Sequence, residues 1–266
     1  MSAGKGPTIH PTAVISGKAD LGEGVSVGPF CVIGDEVSIG AGTEIGPHTC
    51  FEGPSTIGKN NRFIGYGSIG SPPQDLKFHG EKTILEMGDN NVVREFVTLN
   101  RGTGIGLGKS VIGSHNLLMT GVHIAHDCIV GDHVIMANAA TLAGHVLVED
   151  HSNVGAFTGV HQFCRVGRHA FIGGYSVITR DALPYVKTVG ERGEAGIYGI
   201  NTIGLERKGF SPEQIKGLKS AYRILFHSKG LSMKEKIAKV RESGPLSNDV
   251  EILLDFIETS ERGIVR

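Results

Sequence analysis

The sequence predicts a mainly β protein: a parallel β-helix of triangular coils, followed by a C-terminal α-helical domain. Three observations predict it. Apolar residues recur at every sixth position over two long runs. Glycine fills 40 of 266 positions while tryptophan is absent. The periodicity then stops near Leu183, and helix-start signals take over. A period of six is neither the 3.6 of a helix nor the 2 of a flat strand. It suits short strands separated by tight corners, three hexads closing one coil of 18 residues. Each coil hydrogen-bonds to the next at ~4.8 Å. Stacking buries aliphatic columns that no single coil could bury alone.

The first run starts at Ile9 and steps through Ile15, Leu21, Val27, Ile33, Ile39, Ile45, Phe51, Ile57 and Phe63 to Ile69. The second starts at Ile112 and continues without a break to Ile178. The fourth residue after each anchor is mostly small, as at Ala13, Cys31, Thr43, Cys128, Ala140 and Cys164. Three of the four cysteines fall at such inward positions and none forms a CxxC pair, so they read as buried thiols.

The pattern lapses twice. Between Ser71 and Thr83 the in-phase positions are Asp75 and Glu81, wrong for a core, so 71–83 is a protruding loop. The pattern resumes at Met87, Val93 and Leu99. The stretch 101–110, RGTGIGLGKS, shifts the phase by one residue and reads as a small outward loop. The β-helix domain therefore spans 1–195 and the helical domain 196–266. Ser211-Pro212-Glu213-Gln214 combines a serine cap, a proline in the first turn and a glutamine three after the cap. Helices are expected near 212–228, 232–242 and 247–261. Between Arg207 and Arg241 ten Lys/Arg face two Glu. That is either a solvated helix surface or a dock for an acidic partner.

The net charge of −1 gives no expectation of a nucleic-acid partner. No run approaches the ~18 apolar residues of a membrane span, and no early apolar stretch follows a basic start. A cytoplasmic protein without a cofactor is expected.

Eight of the twelve histidines lie between positions 115 and 169. Residues 18 apart stack, so His126 lies beneath Gly144, Gly144 beneath Gln162, and Asp127 beneath His145. This column should face outward, bordered by His123, His145 and His161. An outward histidine is ordinarily inert surface. Several in adjacent rungs, with a carboxylate beside one and a glycine above it, point to general-base chemistry. Histidine titrates near neutrality, an adjoining carboxylate fixes its tautomer, and a glycine exposes a backbone N–H that can hold an oxyanion, worth ~3 kcal/mol. No serine or cysteine nucleophile is evident, which favours direct transfer. His123 and His126 are three apart, but not on a helix, so their spacing is a weak zinc signal. Metal shared between subunits, or a catalytically silent scaffold, remain alternatives.

The stretches HIAHDCIVG (123–131), LAGHV (142–146), GVHQFCRVG (159–167) and GLERKGF (204–210), in this order, resemble the UDP-N-acetylglucosamine acyltransferases, which catalyse the first step of lipid A biosynthesis. The resemblance spans the repeat, the QDLK loop and the helical tail. It implies a left-handed β-helix, a homotrimer with sites between subunits, and transfer of an R-3-hydroxyacyl group from acyl carrier protein to the glucosamine 3-position of a UDP-sugar. It implies that His126 is the general base, Asp127 its orienting partner and Gly144 the oxyanion donor. It further implies that Asp75 and Lys77 reach a neighbouring subunit's site, that His123, His145, His161 and Gln162 line the sugar and acyl site, and that Asn201 and Arg207 contact the nucleotide or its phosphates. The basic tail would meet the acidic carrier protein.

There are departures from the family's pattern. Asn100 precedes Arg101-Gly102 where the family has histidine, Ile203 stands where it has an acidic residue, and Lys208 replaces a second arginine. These leave open a 3-hydroxyl or a 3-amino acceptor, and with it a related N-acyltransferase. Gly173-Gly174 occupies the region that limits acyl length; glycine there either leaves room for a longer chain or merely eases a corner.

Overall fold

The computed structural model describes residues 6–266. Two- to four-residue strands stack into three parallel sheets, each running the length of a triangular prism. The first face begins with Thr8–Ile9, the second with Val14–Ile15 and the third with Asp20–Leu21. Strands one coil apart pair 18 residues on, as in Thr8↔Ser26, Val14↔Val32 and Asp20↔Ser38. The six-step anchors from Val27 to Ile178 are buried, and the small residues between them fill the corners of the same core. Several buried hydroxyls at these small positions are satisfied: Thr43 donates to the Gly58 carbonyl, Ser152 to Gly167 and Thr158 to Gly173, whereas the buried Ser110 hydroxyl has no partner. Ile9 departs from the expected inward anchor and is 45% exposed. It belongs to the first described coil, and no rung lies beneath it among the described residues.

The three edges matter more here than the faces. At most corners one residue takes a left-handed backbone, often a non-glycine with φ between 54° and 66°. That conformation costs an L-residue ~1–2 kcal/mol. Because rungs repeat at about strand spacing, flat side chains at successive corners meet face to face and recover contact. The first edge carries Phe30, His48, Tyr66 and Phe96 as such a stack. The second edge, between the second and third faces, carries Asp127, His145 and Phe163. The third edge carries His115, His133, His151 and His169, with Tyr185 above them.

Both phase lapses lie on the second edge. Ser68 pairs with Thr98 and Thr98 with His123, spacings of 30 and 25 instead of 18, so the loops add 12 and 7 residues. The faces re-register after each loop.

Above the prism, Val186–Val189 extends the first face and Gly196–Ile200 returns antiparallel to it. Four helices follow: α1 (Thr202–Arg207), α2 (Pro212–His227), α3 (Met233–Glu242) and α4 (Asn248–Glu258). The last three match the expected helices, and Ser211 and Ser232 each form a reciprocal capping box with the residue three positions on. The single turn and a half of α1 was not expected; it has no acidic first turn and no side-chain cap. A second core joins Leu183, Tyr185 and Val186 to Leu205, Leu218, Leu225, Leu253 and Phe256.

Candidate active site

The second edge brings the predicted chemistry together. His126 follows the strand His123–Ile124, at the turn into the third face. Its Nδ1 lies 2.8 Å from Asp127 Oδ2, and its side chain is 15% exposed while that of Asp127 is wholly buried. The edge turn of the next rung sets Gly144 against the imidazole. A Cβ at position 144 would lie 2.5 Å from His126 Cε1 and 2.7 Å from Nε2, so any larger residue would displace the ring. The Gly144 N–H has no acceptor among the described residues. His145 stands edge-on to His126 at 5.1 Å between centroids and stacks on Phe163 at 4.6 Å. Its Nε2 is 3.8 Å from Asp127 Oδ2.

The inserted loop at 101–108 closes over Asp127. Thr103 N–H reaches both carboxylate oxygens at 3.1 Å, Thr103 Oγ1 donates to Oδ2 at 2.7 Å, and the Leu107 N–H donates to Oδ1 at 2.9 Å. Gly106 passes so close that a Cβ would fall 2.5 Å from the carboxyl carbon. Burial alone would raise the carboxyl's pKa. The bonds from Thr103 and His126, with the charge of His145 nearby, outweigh it and hold the group below its ordinary range. Asp127 is therefore a fixed anion whose acceptor sites are already occupied. With His126 Nδ1 directed at it, Nε2 is the nitrogen left for a proton from outside. Thr103 and Leu107 were not foreseen, because an off-register loop gives no 18-residue spacing by which to find them.

The remaining predicted residues divide among the edges. His123 lies on the second face beside this turn, its Nδ1 2.7 Å from Thr98 Oγ1. Burial chiefly, then His126, lowers its affinity for a proton; burial likewise lowers that of His145. His161 and Gln162 lie on the rung above Gly144, both exposed, and His161 Nδ1 is 3.2 Å from an Arg262 nitrogen. Asp75 and Lys77 sit in the protruding loop, where Lys77 N–H donates to Asp75 Oδ1, and the Asp75 charge already acts on His145 of its own chain. Asn100, the departure from the family's histidine, is buried and donates to Ser71 and Pro72, anchoring the start of that loop. Gly174 lies on the first edge, immediately before Tyr175 in the same turn. Asn201 and Arg207 line a cavity of about 620 Å³ on the third edge, together with His133, His151, Asn153 and Lys208. One protomer does not bring Gly174, Asn201 or Arg207 to His126.

His126, Asp127 and His145 each offer a ligand atom within 4.8 Å of the others, a set that could hold a metal ion. The pairing differs from the His123–His126 spacing considered from sequence. Asp127's lone pairs are already engaged by Thr103, Leu107 and His126, so a cation would have to break those bonds first. The cysteines offer no nucleophile: Cys31, Cys128 and Cys164 are buried, and burial pushes the Cys128 thiol up to about 12. Among the described residues no helix is long and apolar enough to cross a membrane.

A prism of hexads bearing an anchored histidine–carboxylate pair beside an unbonded amide defines an acyltransferase of the hexapeptide-repeat class. Known proteins agree. Residues 109–144 match the family described as bacterial transferase hexapeptide (six repeats), and residues 181–265 match domain 2 of UDP N-acetylglucosamine O-acyltransferase. The acyl-[acyl-carrier-protein]–UDP-N-acetylglucosamine O-acyltransferase of Stenotrophomonas maltophilia is 49% identical over 260 residues, 98% of each chain. That of Xylella fastidiosa is 48% identical, covering 97% of each. The solved LpxA of Acinetobacter baumannii superposes with a TM-score of 0.93 at 46% identity, covering 97% of this chain and 99% of its own. The UDP-N-acetylglucosamine acyltransferase of Arabidopsis gives 0.86 at 36% identity, covering 97% and 100%. The chain belongs to the acyl-[acyl-carrier-protein]–UDP-N-acetylglucosamine O-acyltransferase family, and its prism is a left-handed parallel β-helix.

Proposed function

We propose that this chain transfers an R-3-hydroxyacyl group from acyl carrier protein to the 3-hydroxyl of the glucosamine in UDP-N-acetylglucosamine, the first step of lipid A biosynthesis, in the cytoplasm. The observation that carries the reading is the His126–Asp127 pair with Gly144 one rung above. His126 Nε2 takes the proton of the sugar 3-hydroxyl as that oxygen attacks the thioester carbonyl. Asp127 holds the Nδ1–H tautomer and stabilises the imidazolium without itself taking the proton. The Gly144 N–H faces the oxyanion of the tetrahedral intermediate. Collapse breaks the carbon–sulfur bond, and the departing thiolate takes the proton back from His126.

The division of site residues over three edges favours a homotrimer in which one protomer supplies His126 and a neighbour supplies Asn201, Arg207 and Gly174. Asp75 and Lys77, His123, His145, His161 and Gln162 would then border the sugar and acyl chain. In this reading 1–195 is the catalytic prism and 196–266 a basic domain that meets the acidic carrier. The test is purified protein with a panel of 3-hydroxyacyl carrier proteins and two acceptors, the 3-hydroxyl and 3-amino UDP-sugars, products weighed by mass spectrometry. An ester product from the 3-hydroxyl acceptor is expected; transfer only to the amine, or to neither, contradicts the reading.

A further inference from the structure

The ladder on the third edge has no part in that chemistry. His115, His133, His151 and His169 stand face to face at 4.8, 4.8 and 4.7 Å, their planes within 14° of parallel. Three of them form a wall of the cavity that Asn201 and Arg207 line. The other charged groups on that wall are Lys187, Arg207 and Lys208, and no carboxylate lines it. The buried Nδ1 of His151 has no hydrogen-bond partner. Such a cavity is electropositive, is of the size of small-ligand sites, and carries titratable groups in contact with its contents.

We propose that His133 and His151 are anion-recognition residues that make diphosphate entry into this cavity a proton-taking step. The proposal rests on the reading that the cavity holds the nucleotide of the UDP-sugar. His151 faces His133 and His169 along the ladder, Lys208 after α1, Arg168 from the next rung and Asp150 beside it in its own turn. Its affinity for a proton is lowered by burial, then by Lys208, with Asp150 opposing. His169 is faced by His151, Arg168, Lys208 and Asp249 of α4 and is held to about 4 by burial first, so it stays neutral. His133 has His115 and His151 as ring neighbours and Asp132 beside it in sequence. A diphosphate neutralises Lys208 and Arg207 and adds charge of the opposite sign. The surroundings that lower the proton affinity of His151 in the empty cavity then favour its protonation. Neighbouring rings one rung apart repel if both are charged, so the ladder takes up less than one proton per ring.

The experiment is calorimetric titration of the full chain with UDP at about pH 6, the range where histidine exchanges its proton, in two buffers of different ionisation enthalpy, the enthalpies being corrected for the ionisation of UDP's own terminal phosphate, which titrates in the same range. Uptake of roughly half a proton per UDP is expected, with UDP bound about fivefold more tightly at about pH 6 than at about pH 8. His151→Phe should abolish most of both effects. Phenylalanine already occupies the same left-handed corner at Phe30, Phe96 and Phe163, so the flat ring is accommodated. His133→Phe is the second variant should the first fail to fold. Equal apparent enthalpies for the wild type in the two buffers, with UDP bound, overturn the proposal and leave the nucleotide reading intact. No binding of UDP at all overturns both.

Discussion

Rung for rung, the second and third edges of the prism place histidine at the same left-handed corner: His145 on one, His133, His151 and His169 on the other. Their surroundings differ. On the second edge a buried carboxylate, anchored by Thr103 and Leu107, stands within hydrogen-bonding reach of His126. On the third, the wall shared with the rings carries lysine and arginine and no carboxylate. A clamped anion gives an imidazole a fixed tautomer and a stabilised charged form, which proton transfer needs. Burial first, and then the cationic groups of the wall, lower the proton affinity of His151 and His169. The scaffold repeats the position, and the neighbours decide the chemistry.

The comparison can be broken most forcefully at His126. His126→Ala should lower kcat at least ~100-fold while the melting temperature and assembly are kept; near-normal turnover would remove the distinction between the edges. Gly144→Ala drives a methyl into the imidazole and should cost ~10–100-fold in kcat, by displacing base and amide donor together. Assay at saturating substrates checks it, since an effect on KM alone would mean the ring had not moved. Thr103→Val removes one hydroxyl from the Asp127 clamp and should lower kcat ~10-fold. The acidic limb of its pH–rate profile should move as well, with recovery in Thr103→Ser. An unchanged profile would make the loop merely structural.

The smallest effect sharpens the contrast through stability. His169 is held to about 4 when folded, below its ordinary 6.5. A depressed histidine contributes stability that is present above pH 6.5 and is lost as pH falls towards 4. The melting temperature should therefore decline through that window, and His169→Phe should flatten the decline. Asp127 is depressed from 3.8, so its contribution should survive until the pH drops below that value.

Much of this was legible in the sequence because burial repeats. Anchors from Val27 to Ile178 announce the prism, and the 18-residue coil puts His126 beneath Gly144 without any structure. Ser211 and Ser232 mark their helices through local capping chemistry. The clamp on Asp127 was not legible, since Thr103 lies 24 residues away across an insertion that breaks the coil count. Ile9 was misjudged because periodicity says which way a side chain points, not whether a neighbouring rung covers it. The ladder's own signal, four histidines spaced by 18, was present at 115, 133, 151 and 169. That spacing alone does not distinguish a stacked wall from ordinary surface histidines.

Both excursions leave and rejoin at one edge, on successive rungs just below His126, and the sheets pair on across them, with one bulge between Ile69 and Ser71 where the first leaves. Lengthening such a segment costs little, ~0.6 kcal/mol per doubling. How far the 71–83 loop reaches outward can therefore vary without disturbing the stack that keeps the chain folded, whereas the 101–108 loop is tied to Asp127 by Thr103 and Leu107 and has no such freedom.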